Sequence, residues 1–455
     1  MMVEKGRTVA VIGGGGREAA LIHKYSQSPH VNRIVAIPGN DMMQETSEKP
    51  VQLFPNVKAT DYSQIINICK DEQVDLVDVA QEDAVEQDVV GMMKFVPTQA
   101  IGPRASAGRI ESDKNFARSF GEYLMLPQPK FTAFNFTYEQ YKPTPTIKQV
   151  EKYLEEHPNK SWFVKAAGLA QGKGVIPAPT DAAVLSAISE LRNSFPDASK
   201  VIILEEELIG EEFSAFALSN GKSFKVIGYA QDHKRAFDGD TGPNTGGMGA
   251  ISNPLLLANT ELQKGVEEIF QKTFEGLQQG GIRYKGVLYL GGMAVEEDGK
   301  LKPYIIEFNA RWGDPEAQVL VPGLEVDLFE MGQRVNAGDF KNFKIKQDGK
   351  VRVVVAGVAK GYPGQENHVR GKKITGIDEA RKIDGITIYG AGIKIINSKH
   401  YVNGGRLFYI VGEGNDAVDA RERAYEAMHR ITIEDDSLAY RTDIGYRDVA
   451  RLHKS

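Results

Sequence analysis

The chain has 455 residues, 41% of them hydrophobic and 25% charged, with a formal net charge of −6. That length predicts two to four domains, each able to bury a core, and the acidic balance argues against a general binder of nucleic acid or anionic membrane, leaving room for a local basic pocket. Cys69 is the only cysteine, so no internal disulfide can form, and with no apolar run near the roughly 18–20 residues of a membrane span and no signal peptide the reading is a soluble protein of the reducing cytoplasm.

Thr8–Ile12 (TVAVI) is a buried-strand run, followed by four glycines and a helix-like segment from Arg17 to about Ser26. Ile34–Ile37 and Leu76–Ala80 read as further strands, and strands alternating with helices predict a parallel α/β sheet ending near Ile101–Pro103. One helix is expected from about Ala107, carrying Lys114 and Phe116, and then an irregular Pro-, Thr- and Tyr-rich connection over 127–146. Trp162–Lys165 predicts a strand, Asp181–Arg192 an amphipathic helix, and Val201–Leu204 a strand running into three glutamates. A long helix is predicted over 258–280 and strands over Val287–Val295 and Tyr304–Phe308. Beyond about Asn336 come short strands and turns, Val351–Ala359, Thr387–Tyr389 and Leu407–Val411, and a closing helix over about 416–430.

Two segments carry the most chemistry. In IIEFNARWGDPEAQ (305–318), Glu307 and Asn309 stand two apart on an apolar run, so both side chains are expected on one strand face. Two oxygen donors on a rigid face suit Mg²⁺, which is held by few protein ligands together with nucleotide phosphates. DTGPNTGGMGA (240–250) has four glycines in eleven residues and no apolar periodicity, the texture of a loop that approaches a ligand closely. GGGGRE (13–18) fails as a dinucleotide fingerprint, because Glu18 replaces the third glycine and no acidic residue ends the second strand. Its backbone N–H groups and Arg17 could hold a phosphate, or the segment is only a tight turn. KAAGLAQGKGV (165–175) fails as a P-loop, since three residues separate Gly168 from Gly172 and Gly174 replaces the Ser or Thr. It could lay the cationic Lys173 over phosphates, or be a solvated hairpin. Glu205–Glu207 could accept hydrogen bonds from an adenine amino group or ribose hydroxyls, although such a run is usually a solvated face. QDHKR (231–235) suits an anionic, hydroxyl-rich substrate, with His233 by itself a structural residue.

Taken in order, these pieces resemble the ATP-grasp superfamily and, more narrowly, the phosphoribosylamine–glycine ligase family. The similarity runs through GGRE (15–18), GLAQGKGV (168–175), QDHKR, DTGPNTGGMGA, EFNARWGDPE (307–316), GYPG (361–364), NGGR (403–406) and DIGYR (443–447). It implies an α/β and α+β architecture: an N-terminal parallel α/β domain (1–104), a central ATP-grasp domain (105–337) with a lid subdomain at about 126–197, and a C-terminal mixed β-rich domain (338–455). The implied reaction is ATP-dependent ligation of glycine to 5-phosphoribosylamine through an acyl phosphate, in purine biosynthesis. The cofactors are ATP and Mg²⁺, with Mn²⁺ as an alternative ion, and the protein is a monomer or small homo-oligomer with no nucleic-acid or membrane partner.

The resemblance also implies roles. Lys114 and Lys165 meet ATP phosphates, Glu205 and the backbone near Leu208 hold adenine, and Glu212 holds the ribose. Glu307 and Asn309 bind the metal. Lys173, in a loop that closes over the nucleotide, and Arg311 and Asp232 on the acceptor side are the catalytic candidates. Gly15, Arg17, Glu82, Lys234, Gly246, Gly247 and Asp314 are the substrate-binding ones. The chain departs from the family at Ala19 (usually His), at Ala80–Val85, where only Glu82 of the usual turn remains, at Ala167 (usually Asp) and at Asp41-Met42 (usually Ala-Gly). Three of these four lie on the N-terminal, amine-binding side, which keeps a paralogous ligase joining a different acid or amine as the alternative.

Overall fold

The computed structural model describes residues 6–136, 145–170 and 173–454. Gln171 and Gly172 of the second glycine cluster, and residues 137–144 of the connection expected over 127–146, lie outside the described residues.

The N-terminal apolar runs form a five-stranded parallel sheet in the spatial order Val51–Leu53, Val31–Pro38, Arg7–Gly13, Leu76–Val79, Gln99–Ile101. The order reverses at Arg7–Gly13, so a crevice opens between its C-terminal end and that of Leu76–Val79, the usual place for a ligand in such sheets. The glycines at 13–16 and the Ala80–Glu82 turn border it.

Lys300–Asn309, Lys285–Glu297, Glu211–Asn220, Phe224–Asp232 and Gly249–Ser252 pair antiparallel, and the ladder continues into Val351–Ala359, Arg406–Gly414 and Ile386–Gly390 within a nine-stranded sheet. The 20-residue helix Thr260–Gln279 packs across it. A separate four-stranded sheet, Phe131–Asn135, Val201–Glu206, Trp162–Ala166 and Val175–Ala178, carries the helices Pro145–Glu156 and Asp181–Ser194 over its own apolar cluster. A small sheet of Ile393–Ile396, Lys399–Val402, Lys373–Thr375 and Thr432–Ile433 completes the C-terminal part. Among the described residues no helix is long and apolar enough to cross a membrane.

Several elements differ from the sequence-based expectation, among them the glycine-rich segment, whose Thr241–Asn244 pairs antiparallel with Arg235–Phe237. The helix expected from Ala107 is two, Ala105–Ser112 and Lys114–Tyr123, because Asp113 leaves helical geometry (φ −130°) and its carboxylate accepts the Phe116 N–H at 2.9 Å as an N-cap. The connection expected to be irregular contains the strand Phe131–Asn135, paired antiparallel with Val201–Glu205. A last helix, Tyr446–Leu452, follows the one expected to close the chain.

Candidate active site

The strand Lys300–Asn309 places Glu307 and Asn309 just past a bulge. Glu307 lies opposite Gly291 but Ile305 lies opposite Gly292, so Ile306 is an extra residue in the ladder. Strict alternation would put Ile305 and Glu307 on one face. The bulge instead sends Ile305 and Phe308 into the core and leaves Ile306 and Glu307 half-buried toward the cleft. Beyond it the register is regular, so Glu307 and Asn309 share a face as expected.

Three lysines surround Glu307. Lys234 Nζ stands 3.5 Å from Glu307 Oε1 and 3.6 Å from Glu212 Oε2. Lys165 is the penultimate residue of the strand Trp162–Ala166, and Lys114 opens its helix just past the Asp113 cap, donating from Nζ to the Gly168 carbonyl at 3.0 Å. Burial alone would raise the Glu307 carboxyl, but Lys234, Lys165 and Lys114 outweigh it and hold it at about 2, firmly ionised. Burial lowers Lys114 and Lys165 despite their acidic neighbours, whereas for Lys234 the pull of Glu212 and Glu307 overcomes burial and holds it well above the ordinary range. Among the described residues no group of three or more His, Cys, Asp or Glu could hold a metal by itself. An ionised carboxylate with an amide oxygen beside it is the partial set of hard donors that Mg²⁺ shares with phosphate oxygens.

Glu205 does not stand open to adenine. Its carboxylate, 2% exposed, is taken by Arg118 Nε and Nη2 at 2.7 and 2.9 Å and by Lys165 Nζ at 2.6 Å. These cations overcome burial and hold it at about 2. Leu208, just past the strand, is half-buried between exposed neighbours, and Glu212 faces the cleft. Lys173 is exposed, its N–H donating to the Ala170 carbonyl at 2.8 Å.

At the N-terminal crevice the expected phosphate cradle is already filled by protein. Glu18 accepts the Gly15 N–H at 2.7 Å, capping its own helix, and accepts Arg17 Nε at 2.6 Å. Arg17, 6% exposed, donates to the Trp312 carbonyl at 3.1 Å and stands 3.7 Å from Glu82. It bolts the parallel sheet to the 307–316 segment instead of facing solvent. Glu82 forms an ion pair with Arg311 Nε at 2.9 Å, while Arg311 Nη2 reaches Glu111 at 2.9 Å and Asn309 Oδ1 at 3.2 Å. Burial opposes the charge on Glu82, but Arg311 and Arg17 hold it at about 2.

Beside Lys234 a small cavity is lined by Glu212, Ser214, Asp232, Lys234 and Tyr289. Asp232 Oδ1 is buried with no hydrogen-bond partner, and burial, reinforced by Glu316, raises this carboxyl well above the usual range. Asp314 accepts from Gln318 at 2.6 Å and from Arg406 at 3.0 Å. Gly247 has φ +104°, and a Cβ there would overlap Pro315, so this position demands glycine. His233 is buried and accepts the Gly445 N–H at Nε2, 3.3 Å away, which is a structural role.

The site also uses residues that sequence reasoning left out: Arg118, Glu111, Glu316, Tyr289 and Arg406. Arg118 lies four residues past Lys114 on one helix face, a spacing legible only once the helix start at Lys114 is known. Arg406 sits in the NGGR motif, which offered no role until the fold brought it to Asp314.

Three family profiles match the chain: phosphoribosylglycinamide synthetase N domain over residues 7–111, ATP-grasp (A) domain over 112–317 and C domain over 351–447. A phosphoribosylamine–glycine ligase of Listeria monocytogenes serotype 4b is 34% identical over 438 residues, covering 96% of this chain and 98% of that protein. The trifunctional purine biosynthetic protein adenosine-3 of Bos taurus is 34% identical over 449 residues, 98% of this chain, which spans 42% of that longer relative. The phosphoribosylamine–glycine ligase of Thermotoga maritima superposes with a TM-score of 0.76 at 26% identity, covering 96% of this chain and 100% of that one. The biotin carboxylase domain of Hydrogenobacter thermophilus 2-oxoglutarate carboxylase gives a TM-score of 0.70 at 13% identity, over 95% and 91% of the two chains, a likeness of fold alone.

Proposed function

The chain belongs to the phosphoribosylglycinamide synthetase family, and on that premise we propose that it joins glycine to 5-phosphoribosylamine, consuming ATP and releasing glycinamide ribonucleotide, ADP and phosphate. The observation that carries this reading is the gathering of Lys114, Lys165 and Lys234 around an ionised Glu307, beside a glycine loop and a small polar cavity. Such a cleft gathers cations where a triphosphate would lie.

A carboxylate is a poor electrophile. One of its oxygens attacks the γ-phosphorus, the bond to the ADP oxygen breaks, and an acyl phosphate results. The amine nitrogen then attacks the acyl carbon, loses a proton and expels phosphate. The protein's part is positioning and charge neutralisation. Lys114 and Lys165 meet the nucleotide phosphates. Lys234 lies between the nucleotide side and Asp232. Adenine falls to the backbone around Leu208 and the ribose to Glu212, while Glu205 fixes Lys165 and Arg118. Lys173 closes over the nucleotide and limits hydrolysis of the intermediate. Glu307 and Asn309 would hold a divalent ion, Mg²⁺ in this reading, which when bound neutralises charge shared by the phosphates.

Gly15, Arg17 and Glu82 act by shaping the crevice wall, and Arg311 joins that wall to Asn309. The Asp41-Met42 departure has a packing explanation: Asp41 accepts the Ile395 N–H at 2.8 Å and Met42 is fully buried. That docking joins the two residues to the C-terminal strand Ile393–Ile396. The three-part division at 104/105 and 337/338, a monomer or small homo-oligomer and a reducing cytoplasm complete the proposal. The test is ADP formation with ATP, Mg²⁺ and glycine, with and without freshly generated phosphoribosylamine. Release that needs both substrates is expected. Release supported equally by another amine would overturn the assignment.

A further inference from the structure

The glycine-rich loop is held at both ends by the C-terminal part of the chain. At its start, Arg441, whose side chain is fully buried, donates to Asp240 Oδ1 at 2.8 Å and to the Arg235 carbonyl at 3.1 Å, while both Asp443 oxygens accept from it at 2.8 Å. Asp443 in turn accepts the Gly239 N–H at 2.8 Å, Tyr446 Oη reaches Asp240 at 3.0 Å, and Asp238 accepts the Thr442 N–H at 2.8 Å. At its end, Arg406 donates to the Gly246 carbonyl and, at 3.4 Å, to the Gly247 and Asp314 carbonyls, with the Asp314 carboxylate at 3.0 Å. One guanidinium thus ties the loop to the segment that carries Glu307 and Asn309.

The loop in turn grips Lys234. Thr245 donates twice to the Lys234 carbonyl, from N at 2.8 Å and from Oγ1 at 2.9 Å, and Met248 N–H donates to the His233 carbonyl at 2.8 Å. Lys234 Nζ faces Glu307 and Glu212. A path of direct bonds therefore runs from Arg406 through Gly246, Gly247 and Thr245 to the backbone of a cleft lysine. Arginine suits such a node, because its rigid fork serves several oxygens at fixed angles.

We propose that Arg406 and Arg441 are positioning residues that set the glycine-rich loop, and through it Lys234, against Glu307. The catalytic half of this statement rests on the ligase reading above. The structural half is read without substrate, by hydrogen exchange of the loop amides. Arg406→Ala is expected to speed exchange over residues 238–247, to lower kcat at least about tenfold and to leave the KM for ATP within about threefold. Added guanidinium should recover part of the lost kcat, whereas ammonium should not. Asp240→Asn, a milder change at the other end of the loop, should show the same pattern in weaker form and keeps the test open should Arg406→Ala not fold. Unchanged loop exchange in a folded variant overturns the proposal, and so does faster exchange with undiminished kcat. Absence of amine-dependent ADP release in the wild-type protein would instead sink the ligase reading and leave the exchange comparison standing.

Discussion

Glu205 and Glu307 are both held at about 2, by different companions and for different ends. Glu205 is paired wholly within the protein, so its removal leaves Arg118 and Lys165 buried without a counter-ion. Glu205→Gln should cost about 3–5 kcal/mol of stability at neutral pH, measured by chemical denaturation. The pH sign follows from the depressed folded value. The contribution of Glu205 is fully present above the ordinary 4.5 and is lost as pH falls toward about 2. The gap between wild type and variant should therefore be widest at pH 6 and close through that window; a gap constant with pH would exclude the ionised pair as its source. Glu307→Gln, at a side chain about a third exposed and so screened by solvent, is expected to cost less stability than Glu205→Gln and to lower kcat roughly a hundredfold or more, the usual scale for losing one charged group in a preorganised site. Near-normal turnover would remove Glu307 from the metal site. These two glutamates also show what single residues reveal in sequence. Glu307 was legible from its spacing to Asn309 and its place in a specific motif. Glu205 looked alike as a polar residue ending a strand, but its partner Arg118 is 87 residues away, and nothing local discloses that pairing.

Elements were legible wherever apolar period and caps agreed, as in the parallel strands, the helix Thr260–Gln279 and the strand Val351–Ala359. They were obscured where one residue changed the outcome. Asp113 splits a continuous helical pattern because a carboxylate at that point caps the next helix better than it continues the last. Ile306 breaks the period of two with no sign in composition, since isoleucine suits either face. The glycine loop was recognised by its glycines, but their individual duties differ. At Gly247 a side chain meets both an unfavourable φ and Pro315, whereas at Gly239 (φ +68°) nothing lies within 4 Å. Gly247→Ala should therefore displace the loop and reduce kcat/KM at least about tenfold, while Gly239→Ala carries only the backbone cost of about 1–2 kcal/mol and keeps most activity. Steady-state kinetics on the pair decides this; equal losses would mean that backbone strain, and not contact with Pro315, governs the loop.

At the scale of the whole molecule the chain order suggests modules, but the packing joins the N-terminal, central and C-terminal ones. The four-stranded sheet that holds Trp162–Ala166 keeps its own apolar cluster, confined to residues 134–204, while one large cluster extends from Val9 to Ile444. Gly249–Ile251 pair directly with Val353–Val355, all three valines fully buried, so the central sheet crosses the point where the sequence texture changes. Asn40 Nδ2 adds a second joint, donating at 2.9 Å to both the Gly14 and the Gly390 carbonyls. Sequence texture registers changes in local pattern, and strand pairing across a texture change leaves no local mark. The consequence is specific: a chain ending at Gly338 would expose the edge of Gly249–Ser252 and the apolar surface covered by Val351–Ala359 and Arg406–Gly414, an invitation to edge association. Such a fragment is expected to lack a cooperative thermal transition and to elute as aggregate, judged by far-ultraviolet circular dichroism and size-exclusion chromatography. A monomeric fragment with a sharp melt would show that the core divides at residue 338 after all. The hold of Arg406 and Arg441 on the glycine loop would then act across a docking interface, and adding the C-terminal piece in trans should restore it.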